Sequence, residues 1–261
     1  MPDIRRVIDL NADLGEGFGA WASGDDEALL DVVTSANIAC GFHAGDPNTM
    51  RRLCRHATGK GVAIGAHVGY RDLAGFGRRA MVVACEDLVN DVIYQIAALD
   101  GFARVAGGRV SYVKPHGALY NTAVVDPKQA AAVVEAVHRY DPNLALLALP
   151  DSQLLKAAGA RGLTSVAEAF ADRAYDHQGH LAPRGTPGAV LHKRETIVER
   201  ALGMVTSGRV TAIDGSSVPV SPRSLCVHGD TPGAVAIAQG IRDALLATGT
   251  VLAAFAEESP Q

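Results

Sequence analysis

Several features that mark common classes of protein are missing from this sequence. No apolar segment approaches the ~20 residues that a membrane-spanning helix needs, and Met1–Arg6 lack the apolar stretch of a signal peptide. No basic block is interleaved with aromatic residues, and only 5% of the residues are aromatic. We therefore expect a cytoplasmic protein that binds neither membranes nor nucleic acid.

Motifs of several well-known catalytic and nucleotide-binding sites are also missing. There is no G-x-x-x-x-G-K-[ST] P-loop, no G-x-S-x-G nucleophile elbow and no H-E-x-x-H motif. Glycines 15, 17 and 19 do not have the spacing of a dinucleotide-binding fingerprint. The four cysteines show no C-x-x-C spacing and two of them lie in apolar runs, so we expect small core residues in a reducing compartment.

The chain does contain seven short apolar runs, and each ends in polar residues that can take part in chemistry. Helical patterns fill the gaps between these runs, and Asp46-Pro47 and Asp126-Pro127 each indicate a helix cap followed by proline at the first helical position. The alternation of strand and helix predicts a parallel sheet. Polar groups at nearly every strand end favour a closed barrel over an open doubly wound sheet, because an open sheet uses mainly its switch point.

We expect one domain over residues 1–261. The chain is 48% hydrophobic and contains no linker, low-complexity tract or internal repeat. Two short strand-like runs near residues 210–220 flank Asp214-Gly215 and predict a β-hairpin that departs from the barrel. The predicted architecture is an α/β fold, a single-domain (β/α)7-type TIM-like barrel with this small hairpin excursion.

The densest polar cluster follows the first apolar run and contains Asn11, Asp13 and Glu16. Alternation along a strand places Asn11 and Asp13 on the same face. Carboxylates at the end of a buried strand are costly to bury without a cation or hydrogen-bond donors. We interpret Asp13 as a metal ligand or a general base, and the alternative is a helix cap with surface acids.

Four of the nine histidines lie at four different predicted strand ends: His43, His67, His116 and His228. A single histidine at such a position is as often structural as functional, but four together indicate that they line one site. Together with Asp13, the pair His43 and His67 offers a set of metal ligands.

Charged residues lie in or directly after the same predicted strands. Lys114 lies in the fourth run, and Glu168 ends the sixth. Arg78 and Arg79 follow the third run, and Arg173 follows the sixth. Two arginine-bearing loops suit an anionic ligand, while ordinary surface charge is the alternative for any single arginine. Lys114 is expected to bind a carboxylate or phosphate, or to exchange a proton if its pKa is lowered. The remaining candidates for substrate or phosphate binding are Asn11, Asn37, His228 and Asp230.

The chain resembles the LamB/YcsF family in six segments spread over nearly its whole length. They are D-L-N-A-D-L-G-E-G-F-G at 9–19, S-A-N-I-A-C-G-F-H-A-G-D-P at 35–47, G-F-G-R-R at 75–79, V-K-P-H-G-A-L-Y-N at 113–121, E-A-F-A-D-R-A-Y at 168–175 and C-V-H-G-D-T at 226–231. One departure is Val68, which follows His67 where the family usually has proline. This change alters the stiffness of the loop and removes no chemical group.

The resemblance implies a barrel related to the glycoside hydrolase/deacetylase superfamily. It also implies the activity of the A subunit of a 5-oxoprolinase, an enzyme that opens 5-oxoproline (pyroglutamate) to L-glutamate with hydrolysis of ATP and that also needs subunits B and C. ATP and Mg²⁺ are the implied cofactors, with another divalent metal as a further option. Because no P-loop is present, we expect the nucleotide to bind unconventionally or at an interface with a partner. Whether identical copies also assemble is left open.

The residues are consistent with this chemistry, because a lactam amide is unreactive until its oxygen is activated, for example by phosphorylation. Such a reaction needs cations near phosphate and carboxylate groups, and a base for water. The candidate catalytic residues are Asp13, His43, His67, Lys114, His116 and Glu168, with Arg78, Arg79 and Arg173 for anions. Two alternatives are a divalent-metal-dependent amide hydrolase or deacetylase, and a non-catalytic subunit that only presents ligand to its partners.

Overall fold

The computed structural model describes residues 6–257, so most of the segment on which the signal-peptide expectation rests lies outside the described residues. Within this range the strands are β1 Val7–Leu14, β2 Ser35–Ala39, β3 Ala63–Val68, β4 Val110–Pro115, β5 Ala145–Ala148, β6 Ser165–Phe170, β7 Arg209–Thr211, β8 Ser217–Pro219, β9 Ser224–His228 and β10 Val251–Leu252. The α-helices of the same range are α1 Asp26–Leu30, α2 Pro47–Lys60, α3 Cys85–Val105, α4 Gly117–Val125, α5 Pro127–Tyr140, α6 Gln153–Ala160, α7 Arg194–Thr206 and α8 Ala234–Ala247.

Seven parallel strands of the described chain, β1 to β6 and β9, form a closed barrel. Each of the first five pairs with the next, and β9 pairs with both β6 and β1. In the closing pair, Asp9 lies opposite Ser224 and Asp13 lies opposite His228. The short β10, which the sequence pattern does not indicate, pairs in parallel with the start of β1. The (β/α)7 barrel predicted from the alternation of apolar runs and helical patterns is therefore confirmed.

Two helices begin at the Asp-Pro pairs that the sequence marks. The Asp46 carboxylate accepts hydrogen bonds from backbone N–H groups in the first turn of α2, and Asp126 does the same for α5. These bonds satisfy N–H groups that have no partner inside the helix. Gly61 ends α2 with a φ of 69°, a left-handed conformation that glycine adopts without steric cost. Local sequence therefore sets both boundaries of α2.

One helix lies where the sequence pattern gives no separate helix. α4 follows β4 almost at once, so two helices, α4 and α5, connect β4 to β5. Its larger buried residues, Leu119, Tyr120 and Val124, lie on one side, but the exposed side also carries an apolar residue, Val125. A helix without a polar stripe lacks the 3.6-residue period by which amphipathic helices are found. Its position brings Tyr120 close to the carboxyl end of β4.

The amino-terminal part of the barrel interior holds one buried carboxyl group, Asp9, that is hydrogen-bonded by the fold. Asp9 on β1 accepts hydrogen bonds of 2.6 Å from the hydroxyls of Thr34 and Ser35, and its other oxygen accepts one from Ser224. Burial raises the pKa of Asp9 to about 6 in spite of these hydrogen bonds, which lower it. This end of the barrel therefore holds a carboxyl group whose partners all belong to the fold.

Glycine at position 65 makes room for an aromatic side chain on the neighbouring strand. A Cβ atom on Gly65 would lie 2.2 Å from the ring of Tyr112 on β4. The Tyr112 hydroxyl donates a 2.7 Å hydrogen bond to Asn37 Oδ1. Any larger residue at position 65 would displace the ring and break this contact.

Three smaller expectations can be compared with the structure. β7 and β8 form an antiparallel hairpin with Arg209 opposite Pro219, which confirms the excursion near residues 210–220. Cys40 and Cys226, the cysteines of the apolar runs, are buried free thiols. Among the helices of residues 6–257, none combines the length and the apolar character that a membrane crossing requires.

Candidate active site

Side chains from several strands converge on Asp13 at the carboxyl edge of the barrel. Asp13 Oδ1 accepts hydrogen bonds from Lys114 Nζ at 2.9 Å and from Asn37 Nδ2 at 2.7 Å. Its Oδ2 lies 3.4 Å from His67 Nε2 and 4.0 Å from His228 Nε2. Burial alone would raise the pKa of Asp13, but the charges of His67 and Lys114 outweigh it and hold this pKa well below its ordinary value. Asp13 is therefore an ionised group at the centre of the site.

The Lys114 ammonium is buried inside the barrel, with 1% of the residue exposed. It lies 2.9 Å from Asp13 Oδ1, 3.1 Å from Glu168 Oε2 and 3.1 Å from Cys226 Sγ. Burial disfavours the charged form, yet the Asp13 and Glu168 carboxylates outweigh burial and raise the pKa of Lys114 well above its ordinary value. Lys114 is thus a fixed positive charge and does not exchange protons near neutral pH.

Glu168 on β6 is the least satisfied carboxylate of the site. It is completely buried, and neither of its oxygens has a hydrogen-bond partner of good geometry within residues 6–257, because Lys114 approaches it only as an ion pair. The buried hydroxyl of Tyr120 on α4 lies beside Glu168, where it opposes the rise that burial causes in the pKa of that carboxyl group. Burial raises the pKa of Glu168, although Lys114 opposes the shift. A carboxyl group with a raised pKa is suited to giving or taking a proton.

A second group beside Asp13 consists of one carboxylate and three imidazoles. Glu16, His43, His67 and His116 are all buried, and one ligand atom from each lies within 4.8 Å of the others. Glu16 Oε1 lies 3.0 Å from His116 Nδ1, 3.3 Å from His43 Nε2 and 3.6 Å from His67 Nε2. Ligand atoms of a tetrahedral zinc ion lie about 3.3 Å apart, since each is about 2.0–2.1 Å from the metal. The spacing of these four side chains suits one small divalent cation.

Hydrogen bonds on the outer side of two of these rings determine where their lone pairs point. His67 Nδ1 lies 3.1 Å from the Lys114 carbonyl oxygen, and His116 Nε2 lies 2.9 Å from the Phe76 carbonyl oxygen. A carbonyl oxygen only accepts, so both of these nitrogens carry hydrogen. In the neutral rings, His67 Nε2 and His116 Nδ1 then face each other as lone pairs at 3.1 Å, beside the Glu16 carboxylate. Only a proton or a metal ion between them relieves this contact, and metal-bound histidines commonly donate their other N–H in this way.

The pKa shifts within this group differ in direction. Burial, with added repulsion from His116, lowers the pKa of His43 to about 3, so this ring is neutral near pH 7. Burial would lower the pKa of His67 too, but the charges of Asp13 and Glu16 outweigh it and raise that pKa. Burial would raise the pKa of Glu16, whereas its contacts with His116 and His43 lower it. A neutral His43 and an anionic Glu16 are the forms that a metal ion binds.

Asp172 and His228 form a hydrogen-bonded pair on another side of Asp13. His228 Nδ1 lies 2.8 Å from Asp172 Oδ2, and Thr231 Oγ1 donates to the same oxygen at 3.4 Å. Burial would raise the pKa of Asp172, but the neighbouring His228 lowers it, so the carboxylate is ionised and Nδ1 carries a hydrogen. The His228 ring also stacks on Phe170 with 5.4 Å between ring centroids. With Nδ1 held by Asp172, the Nε2 atom lies 4.0 Å from Asp13 Oδ2, and His228 lines the cavity.

A cavity of about 460 Å³ opens over these groups. The candidate residues from the sequence that line it are Asp13, His67, Arg78, Lys114, His116, Arg173 and His228. The cavity is also lined by Tyr120, Phe170 and Arg184. Its volume lies within the range of about 300–1,000 Å³ that is usual for small-molecule sites.

The other candidates from the sequence lie outside the cavity lining. Asn37 Nδ2 donates to Asn11 Oδ1 at 2.7 Å deeper in the barrel, so both amides serve hydrogen bonds of the interior. Arg79 is held by Asp72 in its own loop, because its guanidinium donates to that buried carboxylate. Asp230 accepts a 2.8 Å hydrogen bond from Arg78 Nη2 at the rim.

His43 and Glu168 lie behind the side chains that line the cavity, where both are completely buried. Asp13 lies beside the group of four possible metal ligands, because one of its oxygens already pairs with Lys114 and Asn37. The structure thus places Glu16 and His116 next to His43 and His67, and a role of Asp13 as a metal ligand stays a prediction.

Two residues of the site are not among the candidate site residues named from the sequence, although Asp172 belongs to the polar cluster after the sixth run. Asp172 follows β6 by two residues and becomes significant only through its contact with His228. Tyr120 belongs to α4, the helix that the periodicity does not indicate. Both lie inside segments that carry the family resemblance, at 168–175 and 113–121, which is the sequence signal that could have marked them.

Comparison with known families and relatives finds matches over nearly the whole chain. The chain matches the family model described as LamB/YcsF family over residues 8–260. A relative from Mycolicibacterium gilvum, which bears the name of the A subunit of 5-oxoprolinase, is 58% identical over 248 residues, which cover 95% of this chain and 98% of that protein. A relative of the same name from Streptomyces avermitilis is 59% identical over 250 residues, which cover 96% of this chain and 100% of that protein.

A solved structure agrees over the same length. The crystal structure of a lactam utilization protein from Thermus thermophilus superimposes with a TM-score of 0.90 at 45% identity, covering 95% of this chain and 99% of that one. A putative cellobiose-phosphate cleavage protein from Enterococcus faecalis shares the fold alone, with a TM-score of 0.56 at 15% identity. Since the family model and the relatives both span nearly all of the sequence, the chain belongs to the LamB/YcsF family.

Proposed function

We propose that this protein is the A subunit of an ATP-dependent 5-oxoprolinase, which opens 5-oxoproline to L-glutamate with hydrolysis of ATP, together with subunits B and C. Relatives that carry this subunit name are 58% and 59% identical over 95% and 96% of this chain. The structural observation that carries the proposal is the buried Lys114 ammonium, which two carboxylates hold at the floor of a cavity lined by histidines.

The reaction adds water to the carbonyl carbon of a lactam, which is unreactive without activation. ATP would phosphorylate the lactam oxygen with release of ADP, and a first water would add to the activated carbon. The C–N bond would then break as the ring nitrogen takes a proton, and a second water would hydrolyse the resulting acyl phosphate to glutamate and phosphate. Lys114 supplies a fixed positive charge for the oxygen on which negative charge develops. We assign proton transfer to His228, because Asp172 holds its Nδ1 and the residue lines the cavity. Glu168, with its raised pKa, is the second group suited to moving a proton.

The residues that would hold a divalent metal are Glu16, His43, His67 and His116. A bound metal would polarise a carbonyl or phosphoryl oxygen or lower the pKa of a bound water. Three imidazoles favour a metal such as zinc, whereas Mg²⁺ prefers oxygen ligands. We therefore assign Mg²⁺ to the phosphates of ATP and leave the imidazole cluster to another divalent metal.

We further propose that residues 1–261 form one domain that acts in the cytoplasm. Buried free thiols at Cys40, Cys54 and Cys226 support a reducing compartment. Because the sequence contains no P-loop, we propose that ATP binds where the open side of the cavity faces the partner proteins.

The proposal is tested by release of glutamate from 5-oxoproline, with this protein, subunits B and C, and ATP mixed and each component omitted in turn. We expect release only from the complete mixture. Lys114→Met should abolish release, while Lys156→Met, which changes an exposed lysine of α6, should not. Absence of release from the complete mixture of intact proteins would contradict the proposal.

The cluster of three histidines and Glu16 favours one second candidate, a metal-dependent amide hydrolase that needs no ATP. That enzyme would cleave an amide without subunits B and C, lose activity in a chelator and regain it with zinc. A third candidate, a subunit that only presents ligand, would be supported if Asp13→Asn left turnover of the assembled complex unchanged.

A further inference from the structure

One arginine of the cavity is buried without a carboxylate to pair with. Arg173 is 6% exposed and lines the cavity. Its Nη2 donates to the Ala182 carbonyl at 2.7 Å and its Nε to the Ala189 carbonyl at 3.3 Å. Among residues 6–257 it forms no ion pair, and its Nη1 makes no hydrogen bond. The charge of Asp172 acts on Arg173 without an ion-pair contact. A buried guanidinium with a free Nη1 group and no carboxylate in contact is stabilised when an anion binds to it.

Two further arginines face the same cavity. Arg78 and Arg184 both line it, and their charges act on Arg173, whose pKa burial lowers to about 10 with added repulsion from Arg184 and Arg78. Arg78 is partly compensated, because its Nη2 donates to Asp230 at 2.8 Å. Arg184 is exposed and has neither a hydrogen bond nor an ion pair in the described chain. The mouth of the cavity therefore carries an excess of positive charge.

The loop that carries Arg173 and Arg184 is held in place by backbone contacts. Arg173 forms an antiparallel bridge with Val190, and Tyr175 forms one with Leu181. The two carbonyls that Arg173 binds belong to the same loop, at Ala182 and Ala189. Arg173 is therefore fixed at the cavity wall before any ligand arrives, which reduces the entropy lost on binding.

We propose that Arg173 and Arg184 bind the carboxylate of the substrate and so select lactams that carry an acid group. The inference rests on the proposed function and specifies its substrate class. Arg173 is recessed and has one free Nη group, which suits a single carboxylate better than a chain of phosphates. Lys114 and His228 lie on the same cavity, where they serve the reacting carbonyl and the ring nitrogen.

The test compares two ligands of nearly equal size, 5-oxoproline and its neutral carboxamide. Their binding is measured by isothermal titration calorimetry on the intact protein, alone and mixed with subunits B and C. In the assembled complex, the ratio of the two affinities is obtained from KM for the acid and Ki for the amide. We expect the acid to bind at least about tenfold more tightly, because hydrogen bonds between charged partners are stronger than neutral ones.

The variants separate the charge of each arginine from its structural role. Arg184→Gln should weaken binding of the acid about three- to tenfold and leave binding of the amide unchanged. Arg173→Gln should remove the preference for the acid, with thermal unfolding measured in parallel because this side chain also holds its loop. Arg51→Gln, which changes an exposed arginine of α2 outside the cavity, is the matched control and should behave as wild type.

Three results would overturn the inference. Equal affinity of the wild type for acid and amide would do so, as would an equal loss for both ligands in Arg184→Gln. The third is weaker ATP binding in these variants with the acid preference retained, which would assign the arginines to the nucleotide. Acid preference without glutamate release would contradict the proposed function alone, and glutamate release without acid preference would contradict this inference alone.

Discussion

Two carboxyl groups lie inside the barrel and differ in what surrounds them. Asp9, near the start of β1, accepts hydrogen bonds from three hydroxyl groups. Glu168, on β6, faces the Lys114 ammonium at 3.1 Å and has no hydrogen bond of good geometry in the described chain. Burial raises the pKa of both. The difference teaches that burial and a raised pKa do not by themselves identify a functional carboxyl group, and that the groups around it must be considered as well.

Asn11 and Asn37 connect these two regions. Asn11 Nδ2 donates to Ser224 Oγ at 2.6 Å, next to Asp9, and Asn37 Nδ2 donates to Asp13 Oδ1 at 2.7 Å. The two amides are themselves joined at 2.7 Å. We infer that they position Asp13 rather than touch substrate, because the network saturates them below the cavity.

The largest effect is expected at Lys114, whose ammonium is the counter-ion of Glu168. Lys114→Met leaves Asp13 and Glu168 buried without their counter-ion, so we expect a loss of about 3–5 kcal/mol in the free energy of unfolding and no measurable glutamate release. Denaturant unfolding and the assay of the assembled complex measure the two effects. Lys156→Met should change stability by less than about 0.5 kcal/mol. A Lys114→Met protein as stable as wild type would show that the buried charges do not depend on this lysine.

A smaller but more selective effect is expected from exchanging each carboxyl group for an amide. Glu168→Gln should lower turnover by about a hundred- to ten-thousandfold, because it removes a group that exchanges protons. Asp9→Asn should leave turnover close to wild type, since the fold satisfies that carboxyl group on all sides. Similar losses of turnover in both variants would remove the functional difference between the two regions.

The next effect concerns the pair that directs His228. In Asp172→Asn the side chain that accepts the hydrogen bond from His228 Nδ1 is neutral instead of anionic. We therefore expect turnover to fall by about a hundredfold and its pH profile to change. Thr231→Val, which removes only a 3.4 Å contact to Asp172, is the milder comparison. If Asp172→Asn lowered turnover without any change in the pH profile, Asp172 would act on packing and not on proton transfer.

The barrel and the boundaries of most of its helices could be predicted from patterns along the chain, whereas the partners of individual side chains could not. Asp46 caps α2 through neighbouring N–H groups, so its role is visible in the sequence. Asp172 gains its role from His228, 56 residues away, and no local pattern encodes that distance. From the sequence Arg79 is a candidate for anion binding, but in the structure its guanidinium pairs with the Asp72 carboxylate. Strand ends therefore identify candidates, while their partners decide which candidates remain free to act.

The smallest effect on function, and the sharpest test of Asp9, is the pH dependence of stability. The pKa of Asp9 is raised from 3.8 to about 6 in the folded protein, so folding favours its protonated form. This contribution is fully present below about pH 4 and is lost as the pH rises through 6, a change of about 3 kcal/mol. The side chain of Asp9→Asn does not titrate. The free energy of unfolding of the variant, measured relative to that of the wild type, should therefore rise by about 3 kcal/mol between pH 4 and pH 7. The difference between the two proteins cancels the opposite trend from Asp13, Glu16 and Asp172, whose lowered pKa values make stability fall as the pH falls. A difference that stays constant with pH would mean that the three hydroxyls compensate burial completely, and Asp9 would then differ from Glu168 in ionisation as well as in partners.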